Sequence, residues 1–267
     1  MSADRPAEAR ELVVQREVTR TALDGLAGFA LAGSGAIREH GLIERPTEDV
    51  DLFTTSQDPT AFAGAVEQVT ARLQGSGYTV EETRRSARFA RLHVESADGL
   101  QVDVDLGVDW RRDEPVRLEV GAVLSLADAV GNKVGALYSR GEARDYLDVD
   151  AIRGSGPFSD AQLVAAVAER DAGFDLGMFA WRLDAARRVS LDDVSRYGVT
   201  ADELGAVTAR CTQWAATLRE PPAPSAVDAA RQASFPTPAT EATRSQSDPA
   251  ARPVLGTETG PERGTER

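Results

Sequence analysis

A chain of 267 residues with 42% hydrophobic content is long enough to bury a core in one large domain or two small ones. Its formal net charge of −13 excludes a protein that coats DNA through clustered Lys and Arg, though it leaves room for a local basic patch. A single cysteine, Cys211, excludes an internal disulfide and a cysteine zinc cluster. No apolar run approaches the roughly 18 residues that span a bilayer, and the first ten residues carry no apolar signal-peptide segment. The expected compartment is therefore the cytoplasm, with no membrane partner.

Residues 8–24 carry a helical pattern of apolar positions, and 28–33 (GFALAG) reads as a short buried strand that runs into the turn Gly33-Ser34-Gly35. A short helix over 35–41 follows, then a strand over 49–55 (DVDLFTT). The stretch 59–75 reads as an amphipathic helix opened by Pro59 and closed by Gly75. Three β-rich pieces come next, at 77–83, 88–96 and 100–107, the last two joined around Asp98-Gly99, a strong hairpin signal. Ser125 and Asp128 form an S-x-x-D capping pair, and Gly141 supplies a stop, so a helix is expected over 126–139. Further helices are expected at 143–153, 159–172, 175–188 and 200–218, with Cys211, Trp181 and Trp214 as core residues. Eight of the thirteen prolines fall from Pro221 onward, in a stretch too poor in large apolar residues to fold alone. The expected fold class is thus α/β (α+β): an α/β domain with an N-terminal helix over 1–123, a helical domain over 124–219 and a disordered tail over 220–267.

Two aspartates, Asp49 and Asp51, stand inside the apolar strand that follows the Gly-Ser-Gly turn. Alternate strand residues face the same way, so the two carboxylates project together, roughly 6.5 to 7 Å apart along the backbone, while Val50 and Leu52 turn to the core. Ionised together they repel, unless a divalent cation sits between them, and hard cations with oxygen ligands, above all Mg²⁺, suit such a pair. A second strand, LQVDVDLG, offers Asp103 and Asp105 on one face as a further carboxylate. A three-residue turn, Ala97 to Gly99, would set Arg91 opposite Asp105 and His93 opposite Asp103; a two-residue turn would oppose Leu92 and Val94 instead. The turn before the first pair suits phosphate, because Gly33, Ser34 and Gly35 can present backbone N–H groups and a hydroxyl at a helix N-terminus.

Of the thirty basic residues twenty-nine are Arg, and the one lysine is Lys133. In a chain that uses Arg wherever Arg will serve, a surviving Lys marks a place that needs a compact ammonium. Arg140, seven positions on, shares its helix face.

Gly33-Ser34, about a dozen residues and then Asp49-Val50-Asp51 resemble the nucleotidyltransferase superfamily typified by DNA polymerase beta. The later stretch SLADAVGNKVGALYSRGEARDYLDVDAI is similar to the AbiEii/AbiGii type within it, the toxin component of abortive-infection toxin–antitoxin pairs. The resemblance covers residues 25–155 well and 155–218 loosely. It implies that Gly33 and Ser34 grip the β- and γ-phosphates of a nucleoside triphosphate, that Asp49 and Asp51 bind metal, and that Asp105 is the third carboxylate, with Asp103 in reserve. It further implies that Lys133, Arg140, Asp145 and Asp148 contact triphosphate or acceptor. Two Mg²⁺ ions, with Mn²⁺ as the alternative, would support attack of an acceptor hydroxyl on the α-phosphorus and loss of pyrophosphate. The acceptor would be the tRNA 3′ end or a protein hydroxyl, and a cognate antitoxin would be a partner. Two other readings compete: nucleotide transfer to a small molecule such as an aminoglycoside, and a catalytically inactive homologue that only binds nucleotide. Arginines 84, 85, 88, 91, 111 and 112 could edge a cleft for RNA.

Overall fold

The alternating Asp-Val-Asp-Leu pattern of residues 49–52 needs a sheet with one apolar and one polar face, and the architecture supplies it. In the computed structural model, which describes residues 5–220 apart from Pro46 and Glu48, α1 (Arg5–Leu23) leads to β1 (Phe29–Leu31), α2 (Gly33–Glu39), β2 (Asp49–Thr54) and α3 (Pro59–Gly75). Strands β3 (Thr79–Arg85), β4 (Phe89–Glu95) and β5 (Gln101–Val108) follow, then a short hairpin of β6 (Val116–Leu118) and β7 (Gly121–Val123). The remainder is helical: α4 (Leu126–Ser139), α5 (Ala143–Gly154), α6 (Asp160–Arg170), α7 (Leu176–Asp184), α8 (Leu191–Val194) and α9 (Ala201–Arg219), with 3₁₀ turns at Ala185–Arg188 and Ser195–Tyr197. These elements lie in one compact unit, Met1–Pro221. Apart from Glu220, the tail expected over 220–267 lies outside the described residues. No helix among the described residues is long and apolar enough to cross a membrane.

The seven strands form one mixed sheet in the order β3-β4-β5-β2-β1-β7-β6. β2 runs parallel to β5, and β1 parallel to β7; the other neighbours are antiparallel. Val50, Leu52, Ala90, Leu92, Val94, Val102, Val104 and Leu106 are buried on the face covered by α1 and α3. α3 starts as its sequence dictates: Asp58 accepts a hydrogen bond from Thr60 N at 2.9 Å, and Pro59 takes a position where its missing N–H is not needed. On the opposite side α4 is the central helix and packs against α2, α5, α6 and α7. Trp214 of α9 and Phe179 of α7 meet edge to face at 5.3 Å and anchor the helical core.

Three local features depart from the sequence pattern. α2 begins at Gly33 itself, so the Gly-Ser-Gly segment is the first turn of the helix and not a loop before it. The β6–β7 hairpin and α8 carry too few residues to show a period. Trp181, expected in the core, is 47% exposed, because α7 turns Phe179, Ala180 and Leu183 inward. Its ring lies under the guanidinium groups of Arg182 and Arg188 instead.

The Ser125 cap accepts from Asp128 N at 3.0 Å as its spacing predicts. The Asp128 carboxylate does more than close the cap: it accepts from the backbone N–H groups of Arg112 and Asp113, each at 2.9 Å, and from Arg170 at 3.0 Å. It thereby ties the 109–114 loop and α6 to α4. Burial opposes its ionisation, but the Arg112 and Asp113 amides, Ser125 and Arg170 hold its carboxyl below the ordinary carboxylate value. A depressed folded-state pKa gives stability that is present above about pH 4 and lost as pH falls through the folded value. Asp128→Asn should therefore lower unfolding stability at pH 7 by about 3 kcal/mol. In urea titrations the gap from wild type should narrow as pH drops from 5 towards 2.

Candidate active site

Parallel pairing of β2 with β5 sets Asp49 beside Asp103 and Asp51 beside Asp105, all on the face away from α1 and α3. The β4–β5 hairpin uses the three-residue turn, with Ser96 N bonded to Leu100 O at 2.9 Å, so Arg91 stands opposite Asp105 and His93 opposite Asp103. Side-chain oxygens of Asp49, Asp51 and Asp105 lie within 4.8 Å of one another. Asp103 stays outside that group, with Oδ1 2.9 Å from Nδ1 of His93.

Three like charges at such distances need cations close by, and the structure provides them. Arg91 grips Asp105 with a two-pronged fork, Nε to Oδ1 and Nη2 to Oδ2, each at 2.6 Å. Arg144 of α5 approaches Asp49 at 3.9 Å. Asp51 has the weakest compensation. Burial, and after it the Asp49 charge, push its pKa up to about 7 against the pull of Lys133. Three carboxylates that converge within 4.8 Å and offer only oxygen ligands are the donor set that suits a hard divalent cation.

Gly33 explains how Asp51 fits. Its φ is +57°, and a Cβ built there would overlap Asp51 Oδ2. The backbone is held to the strand by a 2.8 Å bond from Ala32 N to Asp51 O.

These groups line a cavity of about 500 Å³ between the sheet and α4–α6. Its wall includes Lys133, Arg140, Arg144 and Arg170. Each of the first two is tethered from behind by an aspartate one turn apart on α5. Arg140 donates Nε and Nη2 to Asp145, both at 3.0 Å, and the Lys133 ammonium is 2.7 Å from Asp148 Oδ2. Asp145 and Asp148 are fully buried and do not line the cavity. The hydroxyl of Ser34 does line it, with its hydrogen-bonding capacity full: it donates to Asp148 at 3.1 Å and accepts from Lys133 at 2.6 Å and Arg45 at 3.0 Å.

Of the residues expected at the site, Gly33, Ser34, Asp49, Asp51, Asp105, Lys133 and Arg140 share this cavity. The arginines expected to edge a cleft divide. Arg91 lines the cavity, Arg84 and Arg85 end β3, and Arg88 lies in the turn that leads into β4. Arg111 bonds to the Gly28 carbonyl, and Arg112 to Asp113 and Glu169. Sequence reasoning passed over Arg45 and Arg170, which an arginine-rich background hides; Arg144 stood in it only as the first residue of the Arg-Asp-x-x-Asp run and not as a site residue.

The sequence matches the family described as nucleotidyl transferase AbiEii toxin, type IV toxin–antitoxin system, over residues 23–233. No curated protein matches it. Among solved structures, MenT4, a nucleotidyltransferase toxin from Mycobacterium tuberculosis, aligns at 15% identity and a TM-score of 0.49, over 79% of this chain and 85% of that chain. JHP933 from Helicobacter pylori aligns at 17% identity and a TM-score of 0.46, over 82% of this chain and 93% of that chain. With most of its length matched, the chain belongs to the AbiEii nucleotidyltransferase toxin family.

Proposed function

We propose that this protein transfers a nucleoside monophosphate from a nucleoside triphosphate to an acceptor hydroxyl, with release of pyrophosphate, and that it acts in the cytoplasm as the toxin of a toxin–antitoxin pair. The observation that carries this reading is the convergence of Asp49, Asp51 and Asp105 within 4.8 Å at a cavity walled by Lys133, Arg140 and Arg144. The three carboxylates are the residues that would hold the metal, which we assign as Mg²⁺, with Mn²⁺ as the alternative. When bound, it supplies charge stabilisation to the attacking and leaving oxygens of an in-line displacement.

The chain's own residues account for the rest. In this reading residues 1–123 contribute the carboxylates, and 124–219 contribute Lys133, Arg140 and Arg144 to take up the charge of the triphosphate. Each cation is already tethered, so little reorganisation is needed as negative charge builds on the leaving phosphates. Asp105, held in one orientation by the Arg91 fork, is the carboxylate we place beside the attacking hydroxyl. The acceptor we favour is an RNA 3′ end such as that of tRNA, supported by Arg84, Arg85 and Arg88, which sit around the β3–β4 turn on the hairpin that carries Arg91. A protein hydroxyl and a small molecule are the other acceptors to be tested. Incubation with each labelled nucleoside triphosphate, Mg²⁺ and total RNA or lysate decides: label in RNA is expected, label in protein or a small molecule redirects the acceptor, and absence of transfer refutes the reading.

Asp51→Asn should abolish that transfer while leaving the protein folded. Its sign in stability follows from the raised pKa. The folded protein holds a proton that the unfolded chain loses near pH 4, so this group's contribution is favourable below pH 4 and declines as pH rises to 7. In the presence of a chelator the variant should therefore melt a few degrees above wild type at pH 8, and this advantage should shrink towards pH 5. Gly33→Ala should abolish transfer as well, because the added methyl displaces Asp51; circular dichroism would show the fold retained. Lys133→Arg should lower the rate at saturating nucleotide nearly as much as Lys133→Ala, by on the order of a hundredfold, since Arg45 already sets one guanidinium on Ser34 and Asp148 and a second, bulkier than the buried ammonium, would displace those contacts.

A further inference from the structure

Behind the cavity wall two cations share one buried carboxylate. Arg45, in the segment between α2 and β2, donates Nε to Asp148 Oδ1 and Nη2 to Oδ2, each at 2.7 Å, while the Lys133 ammonium lies 2.7 Å from the same Oδ2. Asp148 is fully buried and Lys133 is 5% exposed. Lys133 lines the cavity; Arg45 and Asp148 do not. The outer side of Arg45 is covered by the ring of Tyr197, 4.8 Å from the guanidinium carbon.

The charges explain why a second cation is needed there. Lys133 and Asp148 alone sum to zero, so a polyphosphate in the cavity would meet a neutral pair. Arg45 adds one positive charge on the far side of that pair, and its effect reaches the cavity through Lys133, the member that faces it. Arg45 donates to both oxygens of the carboxylate, and Oδ2 also receives the Ser34 hydroxyl and the Lys133 ammonium, so one carboxylate holds all three side chains together. Asp148 supplies the tether, and Arg45 cancels the charge that the tether would otherwise impose.

We propose that Arg45 is a positioning residue for phosphate binding, which acts by offsetting the Asp148 charge behind Lys133 without touching the ligand. This rests on the reading that the cavity takes a triphosphate. The test is calorimetric titration of the full chain with inorganic tripolyphosphate, free of metal and at fixed ionic strength. Arg45→Gln should weaken binding about tenfold, the scale of one unit charge at a partly buried site. Arg45→Gln combined with Asp148→Asn removes one charge of each sign, so the sum returns to that of wild type, and should bind within about threefold of it. A merely structural Arg45 predicts the reverse order, with the double variant the weaker. Unchanged affinity in Arg45→Gln, or no recovery in the double variant, overturns the inference while wild-type binding upholds the triphosphate reading. No binding by wild type overturns both. If Arg45→Gln does not fold, the double variant decides alone: near-wild-type affinity with both partners gone supports the inference, and a tenfold loss refutes it.

Discussion

Mutual repulsion among Asp49, Asp51 and Asp105 is the constraint around which the other features are arranged. A parallel β2–β5 pair puts two D-x-D patterns side by side, and strand alternation turns all four aspartates to the same face. Such a face is unfavourable in isolation. The β4–β5 hairpin answers part of it by bringing Arg91 across to Asp105, and α5 answers another part through Arg144. What is left uncompensated sits on Asp51, whose proton affinity rises accordingly. The protein thus keeps a local instability where a divalent cation would relieve it.

The helical half solves the complementary problem. Free arginine and lysine side chains beside three carboxylates would fold down onto them and close the cavity. Instead three cations of the far wall are anchored on acids other than those three: Lys133 on Asp148, Arg140 on Asp145, and Arg170 on Asp128. All three of these acids are buried, at 2% exposure or less. These three cations therefore face the carboxylate cluster while held by acids on their own side of the cavity, an arrangement prepared before any ligand arrives. Lys133 within α4 and Arg140 at its C-terminal cap reach Asp148 and Asp145, one turn apart on α5, so the packing of α5 against α4 sets both tethers.

Much of this was legible in the sequence because it depends on short-range rules. The helices over 59–75 and 126–139 have the bounds their caps and stops imply, and the D-x-D pairs show through strand alternation. The hairpin register hung on a single residue of turn length, which local sequence left open and the structure resolves. Residues that act at long range were harder to see. Arg45 reaches Asp148 across 103 positions, and among twenty-nine arginines nothing marks it out. The one lysine stood out for the opposite reason. Trp181 shows a different limit: ring size suggests burial, but helix phase decides, and α7 turns that position outward.

Having one lysine, and having it in the cavity wall, makes this chain unusual as a substrate for amine chemistry. Reagents or enzymes that modify lysine side chains find no such group on its outer surface, because Lys133 is buried and its nitrogen is engaged by Ser34 and Asp148. Any acyl or carbamoyl adduct on a lysine must therefore sit in the cavity wall and remove the cation there. For the same reason the mass added to the one peptide containing Lys133 reports how often that wall opens to solvent, without the background that a lysine-rich surface would contribute.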